Sequence, residues 1–224
     1  MIAEPRLRPM LAAVALLLPG CATPEEPPPP PPAPPPATSL LFEEQRINRA
    51  PEEPRDWSQL PDFDRLRASF GDREDFSERC EQGRPARQAF EAIEREAWSE
   101  AADLTAPRLE TCPVDIDLHL VHAVALRELG QAEASKHHFA WHQGLVDSVL
   151  ESGDGRTPET AWVVISIAEE YSILNVFGMQ PMEQVLLDGG IEMMRVEAEG
   201  KTYVVHFDPA AHFRRLQALQ DGAE

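Results

Sequence analysis

The sequence predicts an α+β domain, with helical hairpins packed on a small C-terminal α/β unit that contains antiparallel strands. Three observations predict it. Apolar residues recur at helical spacing from Phe63 to Leu150. Beyond Gly153 they change to short β-branched and alternating runs, reaching Phe207. Gly71, Pro85, Gly130 and Gly153 punctuate the first pattern where helices should stop or start.

The helical part is assigned to residues 57–153. Phe63, Leu66 and Phe70 fall at i, i+3 and i+7, a short amphipathic helix that Gly71 ends. From Pro85 a second stripe runs through Ala89, Ala92, Ile93 and Ala97. A third helix follows Trp98 toward Pro113, a fourth spans Ile116–Leu129 and stops at Gly130, and a fifth runs from Ala132 to Leu150. Gly153 suits the turn that closes it.

The α/β part is assigned to residues 154–224. Asp154-Gly155-Arg156-Thr157-Pro158 is turn-rich, and Ala161–Ser166 (AWVVIS) reads as a buried strand. Ile167, Tyr171, Leu174 and Phe177 then form a helical stripe closed by Gly178. Val185–Leu187 reads as a strand followed by the turn Asp188-Gly189-Gly190. Ile191, Met193 and Val196–Ala198 alternate roughly, with Met194 out of phase. Glu199-Gly200 makes a two-residue hairpin, and Tyr203, Val205 and Phe207 alternate on the return strand. Asp208-Pro209 opens a last helix, Asp as its cap and Pro in its first turn.

A 34-residue offset brings Glu96 onto Gly130, Ala101 onto Ser135 and Ala89 onto Ala123, with Pro113 closing the first unit. That period, with small residues where helices cross, is the tetratricopeptide pattern, so the hairpins are predicted to be tetratricopeptide-like. Two such units bury little surface alone and should lean on the rest of the chain.

The run Ser152-Gly153-Asp154-Gly155-Arg156-Thr157-Pro158-Glu159-Thr160-Ala161-Trp162-Val163-Val164-Ile165-Ser166, with Glu169-Glu170-Tyr171 after it, resembles the bacterial family known as domain of unknown function 4919. Asp115-Ile116-Asp117-Leu118-His119, and His138-Phe139 ahead of Gly144-Leu145, resemble the same family, and the likeness covers about residues 62–208. The resemblance implies a tetratricopeptide-like half joined to a small α/β half, in exported proteins or lipoproteins. It implies no activity.

The N-terminal part has a different character. Residues 1–20 read as a lipoprotein signal peptide: Arg6 and Arg8 precede the apolar run Met10–Leu18, too short to span a membrane. Leu18-Pro19-Gly20-Cys21 resembles the lipobox of bacterial lipoproteins, which makes Cys21 the expected lipid-attachment site. Ala22 in the next position, rather than Asp, suggests the outer membrane, so the expected location is the periplasmic face of that membrane. Residues 21–56 read as a proline-rich disordered tether. Ten of the 22 prolines lie between Pro24 and Pro36, and polyproline II over those 13 residues would span roughly 40 Å.

Composition narrows the function. Twenty Lys+Arg against 39 Asp+Glu give a net charge of −19, which argues against nucleic acid as a partner and against electrostatic docking on anionic lipid. Cys80 and Cys112 are the two cysteines left in the folded part. An oxidising compartment favours a disulfide between them, with a buried reduced pair as the alternative.

Two functional readings follow. The first is a non-catalytic interaction or scaffold module that meets the membrane through its lipid anchor and an envelope protein or peptide as partner, with no cofactor and no metal. The second is a metal-dependent or acid–base enzyme that uses a His/Glu cluster between the two halves. For it, antiparallel folding about Gly130 is predicted to bring His119 level with His142 and His122 near Phe139. Asp154, Glu159, Glu169, Glu170 and Tyr171, with His119 and His138, complete the candidate binding cluster. The chain contains no Gly-x-Ser-x-Gly elbow, no P-loop and no dinucleotide fingerprint.

Overall fold

A computed structural model describes residues 60–81 and 85–221. The leader expected over 1–20, the expected lipid-attachment site Cys21 and the tether expected over 21–56 lie outside these residues. The described part is α+β, with seven α-helices and one four-stranded mixed sheet.

Five helices come first: α1 (Phe63–Gly71), α2 (Pro85–Glu94), α3 (Trp98–Thr111), α4 (Ile116–Glu128) and α5 (Ala132–Leu150). Their starts follow local chemistry. Asp62 caps α1 by accepting from the Arg65 N–H, and Asp115 caps α4 by accepting from the Leu118 N–H, both at 3.0 Å. A single π-helical turn, Ser77–Glu81, follows α1.

The 34-residue offset reappears in the backbone. Glu96 and Gly130 both adopt positive φ, 57° and 76°, each just after a helix. Each is bracketed by the same closing bonds, Ala97 N–H to Ala92 O and Gln131 N–H to Leu126 O, both 2.8 Å. Ala89, Ala92, Ala101, Val121 and Ala125 form a buried seam, and such small side chains let helices approach closely.

The sheet has the order β1-β4-β3-β2, built from β1 (Trp162–Val163), β2 (Gln180–Leu186), β3 (Glu192–Ala198) and β4 (Lys201–Asp208). Helix α6 (Ile167–Val176) joins β1 to β2, and α7 (Ala210–Asp221) follows β4. The pairing of β1 with β4 is parallel and the other two are antiparallel, so the sheet is mixed rather than purely antiparallel. Glu199 and Gly200, both at positive φ, make the predicted two-residue hairpin between β3 and β4.

Several sequence expectations change in detail. The buried strand expected over Ala161–Ser166 shortens to two residues, because α6 begins at Ile167 with Ser166 as its cap. Strand β2 begins at Gln180, well before Val185, and every residue in it is exposed, so it carries none of the apolar alternation that marks a strand. The phase of β3 differs from the expected one at Met193 and Met194, while Val196 and Ala198 alternate as expected. Glu192, Met194, Val196 and Ala198 are buried, and Met193 lies on the other face. At α7, Asp208 accepts from the Ala210 N–H, so the helix proper starts after Pro209.

One apolar core joins the helices to the sheet. It includes Phe63, Phe76, Ile116, Leu145 and Val149 from the helical half and Trp162, Ile173, Met194, Val205 and Phe207 from the α/β half. Gly144 makes room within it: a Cβ there would stand 2.1 Å from the Phe63 ring. The disulfide between Cys80 and Cys112 closes a separation of 32 residues across the π-turn and the end of α3, with Cα atoms 5.2 Å apart. A closed loop of that size restricts the unfolded chain by roughly 3 kcal/mol. No described helix is long and apolar enough to cross a membrane.

Candidate functional site

The residues proposed as one binding cluster occupy four different settings. His119 and His138 meet as expected between α4 and α5, but the hairpin register is one turn away from a fold about Gly130. His119 Nδ1 lies 3.0 Å from His138 Nδ1, and His142 bonds instead to the Ile116 carbonyl at 3.1 Å. Ser135 reaches the Ala123 carbonyl in the same register. His122 edges against His138 with ring centres 4.5 Å apart, and His119 stacks on Trp141 at 5.1 Å.

Hydrogen bonding fixes the proton positions here. His119 Nε2 lies 3.0 Å from the Pro113 carbonyl, which can only accept, so Nε2 carries the proton. In the neutral ring Nδ1 is then an acceptor, and His138 Nδ1–H donates to it. Burial pushes His119 down to about 3 and His138 down to about 4, each helped by neighbouring histidines. Both rings are therefore neutral near pH 7. Thr105 donates to the Ala101 carbonyl at 2.7 Å, which leaves His122 Nδ1–H to donate to the Thr105 hydroxyl at 2.6 Å.

Glu169 belongs to a second setting. It lies in the first turn of α6 and is buried against Arg67 of α1. Arg67 Nε donates to Oε1 at 3.0 Å and Nη2 to Oε2 at 2.8 Å, a two-pronged pair. The same guanidinium donates to Ser148 Oγ and to the Val163 carbonyl, both at 2.8 Å, and the Ile165 N–H donates to Glu169 Oε2 at 2.8 Å. Every group in this network is satisfied by another, so it locks α1, α5, β1 and α6 together.

Glu170 is the third setting and differs sharply from its neighbour. Its side chain is fully buried, and neither carboxyl oxygen has a hydrogen-bond donor within reach. Burial pushes it up to about 9, and the charge of Glu192 adds to the effect. Glu192, buried on β3, is held by the Gln184 side-chain amide, and Tyr171 O–H donates to the other end of Gln184 at 3.4 Å. Glu170 is thus a neutral carboxylic acid at pH 7. Tyr171 is exposed rather than on the core stripe, whose buried members are Glu169, Glu170, Ser172, Ile173 and Leu174.

Asp154 and Glu159 make the fourth setting, the loop 152–161. Asp154 Oδ1 accepts from the Arg156 N–H at 3.0 Å and from the Thr160 hydroxyl at 2.5 Å. Those bonds hold its carboxyl below the ordinary range, the Thr160 hydroxyl contributing most. Glu159 lies exposed in the 3₁₀ turn Pro158–Thr160. Gly155 has φ +67°, and a Cβ on it would strike the Trp162 indole at 2.8 Å. The Trp162 Nε1–H reaches the Gly153 carbonyl at 3.1 Å, and the His206 N–H of β4 reaches the Gly155 carbonyl at 2.8 Å. The Ser152–Trp162 run is thereby accounted for as a clasp that seats Trp162 and ties the loop to β4.

Sequence reasoning missed Arg67, Glu192 and Arg215. Arg67 falls at i+4 from Phe63, on the face that the helix buries, and Glu192 shares the alternation of Met194 and Val196. Those positions were the available signals. Arg215 donates to the Gly71 carbonyl at 2.5 Å and the Ile165 carbonyl at 2.7 Å while stacked 4.0 Å over Phe76, which fastens α7 to α1. Among the described residues, no group of three or more His, Cys, Asp or Glu side chains is placed to hold a metal ion.

No curated protein and no solved structure matches the chain. A family model does match it, over residues 74–211, close to the span of about 62–208 expected from the resemblance. The chain belongs to the family described as domain of unknown function (DUF4919).

Proposed function

We propose that the protein is a lipoprotein anchored through Cys21 to the periplasmic face of the outer membrane, where it serves as a non-catalytic interaction module for an envelope protein or peptide. The Cys80–Cys112 disulfide carries this reading, because such bonds persist in oxidising compartments and the periplasm is one. It agrees with the Leu18-Pro19-Gly20-Cys21 motif and with the proline-rich stretch that follows.

The helical array is the proposed binding part, and the paired turns at Glu96 and Gly130 support a tetratricopeptide-like arrangement for it. A groove of about 280 Å³ runs between α1 and α5, with Phe63 in it and Asp62, Asp64, Asp147 and Glu151 around it. Such a lining favours a partner segment carrying Lys or Arg beside an apolar side chain. The enzymatic alternative draws less support from the geometry. His119 and His138 are occupied by each other and by Pro113, whereas Glu169 is occupied by Arg67 and the Ile165 N–H.

Metabolic labelling with an alkyne fatty acid, followed by membrane fractionation, tests the reading. The expected result is a labelled protein in the outer-membrane fraction, and an unlabelled, mislocalised Cys21→Ala variant. Equal labelling of the variant, or an unlabelled cytoplasmic wild type, would overturn it.

A further inference from the structure

The groove between α1 and α5 has an apolar floor and two acidic walls. Gly144, Asp147, Ser148 and Glu151 line it from α5, at i, i+3, i+4 and i+7, a single helix face. Asp62, Phe63 and Asp64 line it from the start of α1, with the Phe63 ring lying against Gly144. Several acidic side chains elsewhere have basic partners: Asp72 has Arg214, Asp75 has Arg79, Glu100 has Arg95 and Glu183 has Arg195. Among the described residues, no Lys, Arg or His forms an ion pair with Asp62, Asp64, Asp147 or Glu151. Asp62 and Asp147 accept from neutral donors, the Arg65 N–H and the Gln143 amide. A groove lined by one sign of charge draws the opposite sign into it.

We propose that the chain's own segment Gln45–Pro51 (QRINRAP) docks in this groove, with Ile47 against Phe63 and with Arg46 and Arg49 between the carboxylates. Charge selects the segment. From Ala22 to Gln59 the basic residues are Arg46, Arg49 and Arg55. Arg55 stands among Glu52, Glu53 and Asp56, which offset it. Gln45–Pro51 holds two arginines around an apolar residue and no acid, and Glu43-Glu44 and Glu52-Glu53 bound it on either side. That is the pattern the groove lining calls for, a base beside an apolar side chain.

The course of the chain selects it as well. Leu60 packs on the core, and Asp62, two positions on, already lines the groove, so the chain enters the described part at the groove itself. Arg49 and Asp62 are 13 positions apart. That length reaches roughly 45 Å at full extension, enough to turn back along α5. A linkage this short sets an effective concentration on the order of millimolar, so even a weak contact is occupied. An envelope partner carrying the same chemistry would have to displace the segment, which makes it a built-in competitor. This docking deepens the binding role proposed for the groove and rests on it, not on the lipid anchor.

Photocrosslinking in the full chain tests this, with benzoylphenylalanine in place of Ile47 and, as the control, in place of Ala37. Irradiation should join position 47 to the peptides holding Asp62–Asp64 or Gly144–Glu151 of the same chain, at least tenfold above the control. Asp147→Lys/Glu151→Lys should abolish that adduct, and adding Arg46→Glu/Arg49→Glu should restore it. Near-UV circular dichroism matching the parent checks that each variant folds. A fluorescent QRINRAP peptide, followed by anisotropy, separates this docking from the groove's wider role. It should bind the Arg46→Glu/Arg49→Glu chain at least tenfold more tightly than the parent. Equal binding to both chains would overturn the docking and leave the groove as a binding part, whereas no binding to either would overturn both. No adduct above the control, an adduct outside the groove or one joining two chains would each overturn the docking.

Discussion

Arg67 and Glu169, 102 residues apart in sequence, form a buried two-pronged ion pair that joins the first described helix to the α/β half. The pair is sheltered on both sides, with side-chain exposures of 6% and 5%. Removing one partner strands the other charge out of water, which typically costs 3–5 kcal/mol, whereas removing both costs much less. Arg67→Met and Glu169→Gln are each expected to lower unfolding free energy by about 3–5 kcal/mol. The double variant should lose clearly less than the sum, as urea melts with unchanged slope would show. Additive losses below about 1 kcal/mol would mean that the pair does not couple the two halves.

Glu170 and Glu192 predict a loss of stability toward alkaline pH. The folded chain holds a proton on Glu170 up to about 9, while the unfolded chain releases it near 4.5. Between those values the unfolded state binds fewer protons, so raising the pH favours unfolding, with a slope of up to about 1.4 kcal/mol per pH unit. The stabilising protonated form is fully present below the unfolded value and is lost as pH rises through the folded one. Glu170→Gln keeps the shape and offers its amide to Glu192. The variant is expected to flatten the melting temperature between pH 6 and 9, where the parent declines. Parallel pH profiles for the two proteins would show that Glu170 is already ionised in the folded state.

These two carboxyl groups also show where the sequence stops being informative. Adjacent glutamates at 169 and 170 look alike in a sequence, and both lie on the buried side of one helix. Their difference arises from elements far away, Arg67 on α1 and Glu192 on β3. The helix limits were legible because apolar spacing, capping Asp residues and Gly130 act locally. Strand β2 was only partly legible because it buries nothing, and hydrophobic alternation records burial. The phase of β3 went wrong at a Met-Met pair, where either residue could face the core and the neighbouring Val196 decides. The histidine register was misread because helices meet where their side chains pack, not symmetrically about the connecting glycine. His119–His138, His142–Ile116 and Ser135–Ala123 all centre near Leu129. The disulfide was legible through cysteine number and the expected oxidising compartment, since Cys80 and Cys112 are the two cysteines beyond the expected lipid site.

The His119–His138 contact predicts instability on the acid side. Both rings are neutral in the folded chain, held down to about 3 and about 4, while in the unfolded chain they protonate near 6.5. Below that pH the unfolded state binds more protons, so the stability present above 6.5 is lost as pH falls toward the folded values. Each ring contributes a slope of up to about 1.4 kcal/mol per pH unit. Protonation of both rings also destroys the contact directly, because His119 Nδ1–H would then face His138 Nδ1–H, two donors without an acceptor. The informative window is pH 4.5–6.5, where most exposed carboxylates remain ionised. Within it Glu170 and Asp115, both pushed up by burial, act in the opposite sense, so the difference between parent and variant carries the slope of the two rings. His119→Asn/His138→Asn should start less stable, through lost packing on Trp141, but gain on the parent as pH falls across the window. An equally steep acid slope in the double variant would place the responsible protons elsewhere in the chain.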